Sequence, residues 1–250
     1  MRKIFAIGGG EIGYPGMKND TLKIDQELIK LSSKEKPRLL FIPTASGDAD
    51  GYIKSVNSYF GKRLGCIIDV LTLTKTSYSQ KQLKDKILKA DIIYVGGGNT
   101  LKMMKLWRKF KVDVLLKKAY HQGIVMSGLS AGSICWFNYG NSDSARFGRN
   151  KTASMIKVKA LGLLPFLHCP HYDIERGREE SLKKMMKKTS GVAIAIDNCA
   201  ALEVIDDKFR IIRSKQSANA YRVYWYQGKY YKEQIKVLTE MTPIAKLLIK

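Results

Sequence analysis

The chain has few of the residues that staple or anchor a protein. Its four cysteines, Cys66, Cys135, Cys169 and Cys199, lie far apart and form no C-x-x-C pair. That spacing argues against a disulfide framework and for reduced thiols inside core elements. No apolar run approaches the roughly 20 residues that a membrane helix needs. The apolar stretch after Met1-Arg2-Lys3 is only about five residues, too short for a secretory signal. It is expected to form a first buried strand, in a cytoplasmic protein with no membrane partner. No repeat, low-complexity tract or interdomain linker interrupts the chain. Acidic residues are also scarce, 22 against 44 basic ones, for a net charge of +22. Such an excess invites a nucleic-acid reading. The lysines, however, are spread along the chain on the polar faces of expected helices. They also outnumber the arginines, whose forked guanidinium suits phosphates and bases. The expectation is a solvated Lys-rich surface without a nucleic-acid partner. Histidine is scarce: His121, His168 and His171 are the only three.

What is present is ordinary globular chain. The apolar fraction of 45% fits a packed core, and 250 residues can form one α/β unit over residues 1–250. From residue 4 to about 138, short apolar runs alternate with amphipathic stretches. Strands are expected at residues 4–7, 38–42, 67–73, 91–95 and 123–127. Helices are expected from Asp20-Thr21 as N-cap, over 50–63, after Ser79, and after Thr100. This alternation predicts a mostly parallel, doubly wound sheet with helices on both faces. Residues 138–152 are polar and read as a loop. A helix is expected near 179–188. Strands at 192–196, 201–205, 209–213 and 221–226 follow, with a tight hairpin at 205–209.

Gly8, Gly10 and Gly13 match G-x-G-x-x-G after the first strand. A dinucleotide fold would place the third glycine in a helix and an acidic residue after the second strand. Here Pro15 and Gly16 follow, and the second strand ends in Pro43-Thr44. The glycines are therefore expected to line a loop above the sheet, with no cofactor.

The chain is organised around Gly128-Leu129-Ser130-Ala131-Gly132, between an apolar run and a helix-like run. Strand, G-x-S-x-G, helix is the context of a nucleophile elbow. Residues two positions either side of Ser130 must be small, because strand and helix pass closely there. The Ala131 amide is then placed to act as an oxyanion donor.

A nucleophilic serine needs a base, and the base an orienting group. His121 falls at a helix end on the wrong side of the sheet. His168 ends an apolar run and reads as a core histidine. His171 follows Pro170, begins a polar loop, and is the expected base. For the acid, Asp143 lies in a loop without a strand end to present it. Asp197, directly after the strand at 192–196, is the expected third member, with Asp173 and Glu175 as fallbacks. The order Ser, His, Asp differs from that of an α/β-hydrolase. His168, Cys169 and His171 are close in sequence, but no further ligand motif completes a metal site, and none is expected.

Gly96-Gly97-Gly98-Asn99-Thr100, then Gly128-Leu129-Ser130-Ala131-Gly132, then Pro170-His171 and an acid at a strand end resemble the dipeptidase E (alpha-aspartyl dipeptidase) and cyanophycinase family. The resemblance runs from the first strand to about residue 205. It implies a fold related to the class I glutamine amidotransferases, with extra C-terminal strands. It implies Ser130 as nucleophile, His171 as base and Asp197 as orienting acid. It also implies that the Gly98 amide joins that of Ala131 in the oxyanion hole. Asn99 is taken as substrate-binding. Arg178, with Arg176 second, is the candidate cation for an acidic N-terminal residue. The chain departs from dipeptidase E at Leu129, where that family has Trp, at Asp197, where it has Glu, and at Cys169, where it has Asn. The expected partners are a small peptide substrate and a second copy of the chain in a homodimer. Two rival readings are a cyanophycinase-like hydrolase of another amide or polymer, and a non-catalytic basic relative that binds nucleic acid.

Overall fold

The computed structural model describes residues 1–13, 19–148, 150–175 and 177–248. Strands and helices alternate through the first half: β1 (Lys3–Ile7), α1 (Leu22–Lys30), β2 (Arg38–Ile42), α2 (Asp50–Val56), β3 (Ile67–Val70), α3 (Gln80–Leu88) and β4 (Ile92–Val95). Two helices follow, α4 (Thr100–Lys109) and α5 (Val112–His121), then β5 (Val125–Leu129) and the short α6 (Ala131–Ile134). The second half is strand-rich: β6 (Phe137–Ser142), β7 (Ile156–Lys159), β8 (Leu164–Cys169), α7 (Arg178–Lys187) and β9 (Ala193–Ile196). It ends with β10 (Ala200–Ile205), β11 (Lys208–Arg213), β12 (Ala220–Tyr226), β13 (Lys229–Gln234) and β14 (Thr242–Pro243).

The strands form two sheets. The first has eight strands in the order β14-β11-β10-β1-β5-β4-β2-β3, and the second six in the order β13-β12-β9-β8-β6-β7. In the first sheet β1, β5, β4, β2 and β3 are parallel, and β10 returns antiparallel to β1, with Ile7 opposite Ala201. The chain is thus a mixed α/β fold with helices flanking its sheets, and the C-terminal strands are shared between both sheets.

Period-two alternation assigns the faces. In β1, Phe5 and Ile7 pack with Ile24 and Leu28 of α1, whereas Ile4 and Ala6 face a cluster holding Met104 and Trp107 of α4. In β9, Ile194 and Ile196 join that same cluster, while Ala193 and Ala195 pack with Leu182 and Met186 of α7. The layers therefore run from α1 and α2, through the first sheet, to α3–α5 and the second sheet, and then to α7.

Three local expectations change. Residues 138–142 form β6 rather than a loop, because its buried polar side chains find partners: Asn141 Nδ2 donates to Ser181 Oγ at 3.0 Å, and Ser142 Oγ lies 2.7 Å from Ser144 Oγ. The expected helix at 50–63 leaves α geometry at Val56 and continues as a π-helix over Asn57–Arg63. Thr21 does not cap α1 with its side chain; its hydroxyl donates instead to the buried Asp25 carboxylate at 2.7 Å. Ser79, by contrast, forms a full capping box with Gln82 at the start of α3.

Candidate active site

The carboxyl ends of β1, β4 and β5 meet the ends of β8 and β9 over one loop, Gly8-Gly9-Gly10. Ser130 follows β5 directly and has φ 58°, ψ −112°, outside the favoured regions for a non-glycine residue. Its amide donates to Ile7 O at 3.2 Å, which ties the turn to the end of β1. The sharpness of the turn explains its glycines. A Cβ on Gly132 would lie 2.0 Å from Val95 O, and one on Gly128 would lie 2.5 Å from Gly132 O. Ser130 Oγ makes no hydrogen bond among the described residues. The amides of Gly98 and Ala131 likewise donate to no backbone carbonyl there, so both remain available.

His171 arrives from the second sheet. It has φ 51°, and its amide donates to Gly8 O at 3.1 Å, one residue beyond the carbonyl that holds Ser130. Its Nδ1 lies 2.7 Å from Asn198 Oδ1. A carbonyl oxygen only accepts, so Nδ1 carries the hydrogen and Nε2 keeps its lone pair. The ring lies against Gly9, where a Cβ would come within 2.4 Å of Nδ1 and 2.0 Å of Asn198 Oδ1. This close approach accounts for a glycine at that position. Burial lowers the His171 pKa below its ordinary value, against the Asn198 hydrogen bond and the charges of Asp143 and Asp173.

Among the described residues it is Asn198, not the expected Asp197, that meets His171 Nδ1. Asp197 is buried and its Oδ2 accepts from the Asn219 amide at 2.9 Å, clamping the exit of β9 to the start of β12. Burial pushes its pKa up to about 6. β9 ends at Ile196, and in the turn that follows Asp197 is directed to Asn219 and Asn198 to His171. The sequence sets the two side by side after the expected strand and carries no signal that separates them. The fallback acids also take other places. Asp173 Oδ1 accepts from the Asn198 amide at 2.9 Å, and Glu175 bridges Arg146 and Arg178.

Arg178 is a second correction. It is 2% exposed, donates to Asn141 O at 2.8 Å and pairs with Glu175, so it braces β6 against α7 rather than facing solvent. Arg176, the other candidate cation, lies outside the described residues. Asn99 is a third. Its Oδ1 accepts from Lys102 N at 2.9 Å as the cap of α4, and its Nδ2 donates to Ser144 O at 3.2 Å, so it shapes the loop after β4. His168 is a core histidine as expected, fully buried and stacked on Phe137. His168 and Cys169 pack into clusters on opposite faces of β8 and do not converge with His171. Among the described residues no group of three His, Cys, Asp or Glu side chains is arranged to hold a metal ion. No helix there is long and apolar enough to cross a membrane.

The chain has relatives among known peptidases. The profile of peptidase family S51 matches residues 4–212. The uncharacterized peptidase YgaJ of Bacillus subtilis (strain 168) is 39% identical over 225 residues, covering 89% of this chain and 92% of its own. A peptidase E of Shewanella denitrificans is 28% identical over 217 residues, covering 81% and 83%. Two crystal structures share the fold. One is a peptidase from an acI-B1 Actinobacterium, with a TM-score of 0.71 at 18% identity over 97% of both chains. The other is a putative peptidase E from Listeria monocytogenes EGD-e, with a TM-score of 0.62 at 20% identity, covering 85% of this chain and 98% of that one. The chain belongs to peptidase family S51 and is a serine-type peptidase with the α/β fold of that family.

Proposed function

We propose that this peptidase hydrolyses short peptides through Ser130, His171 and Asn198, with Ser130 on a nucleophile elbow. The observation that carries the reading is the shared anchorage of serine and histidine. Their amides bond the carbonyls of the consecutive residues Ile7 and Gly8, so two side chains distant in sequence hang from one strand end. His171 Nε2 takes the proton of Ser130 Oγ as it attacks the peptide carbonyl. The Gly98 and Ala131 amides receive the oxyanion, each such donor typically contributing about 3–4 kcal/mol. His171 then protonates the leaving amine, and water, deprotonated by the same nitrogen, releases the acyl group from Ser130.

Asn198 in place of an acid fits this scheme, as an amide oxygen is enough to fix the tautomer and orientation of the ring. It lends the imidazolium less charge stabilisation than a carboxylate does, so His171 remains a weaker base. The test is a release assay on dipeptides and tripeptides with acidic and neutral N-termini, run beside Ser130→Ala. Cleavage that vanishes in the variant supports the reading, and the panel identifies the preferred residue and length. A well-folded wild type that cleaves none of them would sink the short-peptide reading and turn attention to other amides or polymers.

A further inference from the structure

Beneath the turn that carries Ser130 lies a buried polar pair that the mechanism does not use. His168, on β8, is fully buried. Its Nδ1 lies 2.9 Å from Ile194 O, and its Nε2 lies 2.8 Å from Ser133 Oγ on α6. The carbonyl of Ile194 only accepts, so Nδ1 carries the hydrogen. Burial holds the ring neutral, with its pKa lowered to about 3, which leaves Nε2 as an acceptor for the Ser133 hydroxyl. Ser133 Oγ also lies 2.7 Å from Ser130 O. Its single hydrogen is divided between the two acceptors.

The target of this contact matters. Ser130 O belongs to the peptide unit whose other end is the Ala131 N–H. In a trans peptide the C=O and N–H point in opposite directions. Whatever fixes Ser130 O on the inner side therefore fixes the direction of the Ala131 N–H on the outer side. Ser130 O receives the amides of Ser133 and Ile134, both at 3.0 Å, besides the Ser133 hydroxyl. The torsion that sets this plane is the Ser130 ψ of −112°, in a region that the backbone does not hold by itself. α6 spans only Ala131–Ile134, too short to impose the geometry through a helical ladder. An apolar pair would fill the same space without burying polar groups. His168 also leads directly to Cys169, Pro170 and His171, so one strand both braces the turn bearing the serine and delivers the base.

We propose that Ser133 and His168 are positioning residues, which hold the Ser130–Ala131 peptide so that the Ala131 N–H is aimed at the oxyanion. This rests on the reading of Ser130 as the nucleophile. Hydrogen bonds at the two ends of one peptide reinforce each other. The Ser133 hydroxyl on the carbonyl end thus strengthens donation from the amide end when charge develops there.

The experiment uses the full chain and a dipeptide that the wild type cleaves. Ser133→Ala removes one oxygen and keeps a good helix former, and His168→Gln is the second variant. Both are expected to lower kcat with KM little changed, by about tenfold, less than the loss on deleting an oxyanion donor outright. The peptide aldehyde, which forms a tetrahedral adduct on Ser130, is expected to bind about tenfold more weakly to Ser133→Ala. The matching peptide alcohol, which forms none, is expected to bind as it does to wild type. Imidazole nitrogen NMR on the wild type reads the contact without any variant and is expected to show a neutral His168 ring with Nδ1–H and a hydrogen-bonded Nε2. Wild-type kcat in Ser133→Ala, equal weakening of aldehyde and alcohol, or a His168 Nε2 that carries the hydrogen overturns the proposal. If Ser130→Ala keeps activity, the nucleophile assignment itself fails and this proposal with it. If Ser130 is essential and Ser133→Ala is indistinguishable from wild type, the positioning role alone fails.

Discussion

The first sheet brings Ser130 and a set of backbone groups to the candidate site, and the second brings the other side chains. On the first, Gly128, Gly132 and Gly9 have no side chain because neighbouring atoms leave no room for one, and the Gly98 and Ala131 amides are left without a carbonyl partner. On the second, His171, Asn198, Asp173, Glu175 and Arg178 are linked through specific polar contacts. Backbone geometry of the first kind is enforced by sterics and tolerates almost no change. A side-chain network of the second kind can exchange partners while the fold persists. The two halves should therefore fail in different ways.

Gly132→Ala tests this most severely. Its Cβ would meet the Val95 carbonyl at 2.0 Å, a backbone atom in the middle of the first sheet. A loss of more than about 4 kcal/mol is expected, read as failure to fold or a collapse of the melting temperature. Gly9→Ala sharpens the contrast, because its Cβ meets the movable ends of His171 and Asn198 instead. It is expected to fold and to lose activity.

Arg178→Ala strikes the second sheet. Removing a buried cation leaves Glu175 and Asn141 O without it, at an expected cost of about 3–5 kcal/mol in denaturant unfolding. If Arg178 met substrate, KM would rise while stability held; the structure predicts the reverse.

Asn198→Ala should keep the fold and lower kcat by about 10²-fold, the low end for disabling a general base. The pH profile gives the sign. His171 must be neutral to accept a proton, and burial lowers its pKa, so the acid limb of kcat/KM should lie below the 6.5 of an ordinary histidine. Asn198→Asp places a carboxylate against Nδ1 and should move that limb upward.

Asp197→Asn is expected to have the smallest effect, in the opposite direction. The folded-state pKa of Asp197 is raised from 3.8 to about 6, so its contribution to stability is present at low pH and lost as pH rises through 6. Replacing it with a neutral acceptor for the Asn219 amide should stabilise the protein by about 1–2 kcal/mol above that pH, with activity retained. Loss of activity in Asp197→Asn, with Asn198→Ala active, would reverse the assignment of the orienting residue.

The same contrast explains what the sequence made legible. β1 to β5 and the Ser130 turn follow from apolar runs and from glycines at positions where nothing else fits. The Gly8-Gly9-Gly10 loop was read correctly as lying above the sheet, although only the structure shows His171 against Gly9. β6 reads as a loop because Asn138, Asn141 and Ser142 carry no strand-like hydrophobicity; the partners of Asn141 and Ser142 come from α7 and the turn after β6. Arg178 reads as a candidate cation for substrate, yet its partners lie on β6 and in the loop before α7. Polar residues whose partners are remote in sequence give little local signal. Asn198, beside Asp197 in the turn after β9, is another such case.

One feature of the topology reaches beyond chemistry. Asn198 lies where the chain leaves the second sheet after β9 and enters the first as β10, beside β1. The strand that locks this crossing in place is synthesised long after its neighbour, and such distant pairing is slow to form. A growing chain that has reached only β9 holds the serine but not the residue that turns the histidine toward its task. If Asn198 orients His171 as proposed, the full hydrolytic rate is expected only after β10 has paired with β1.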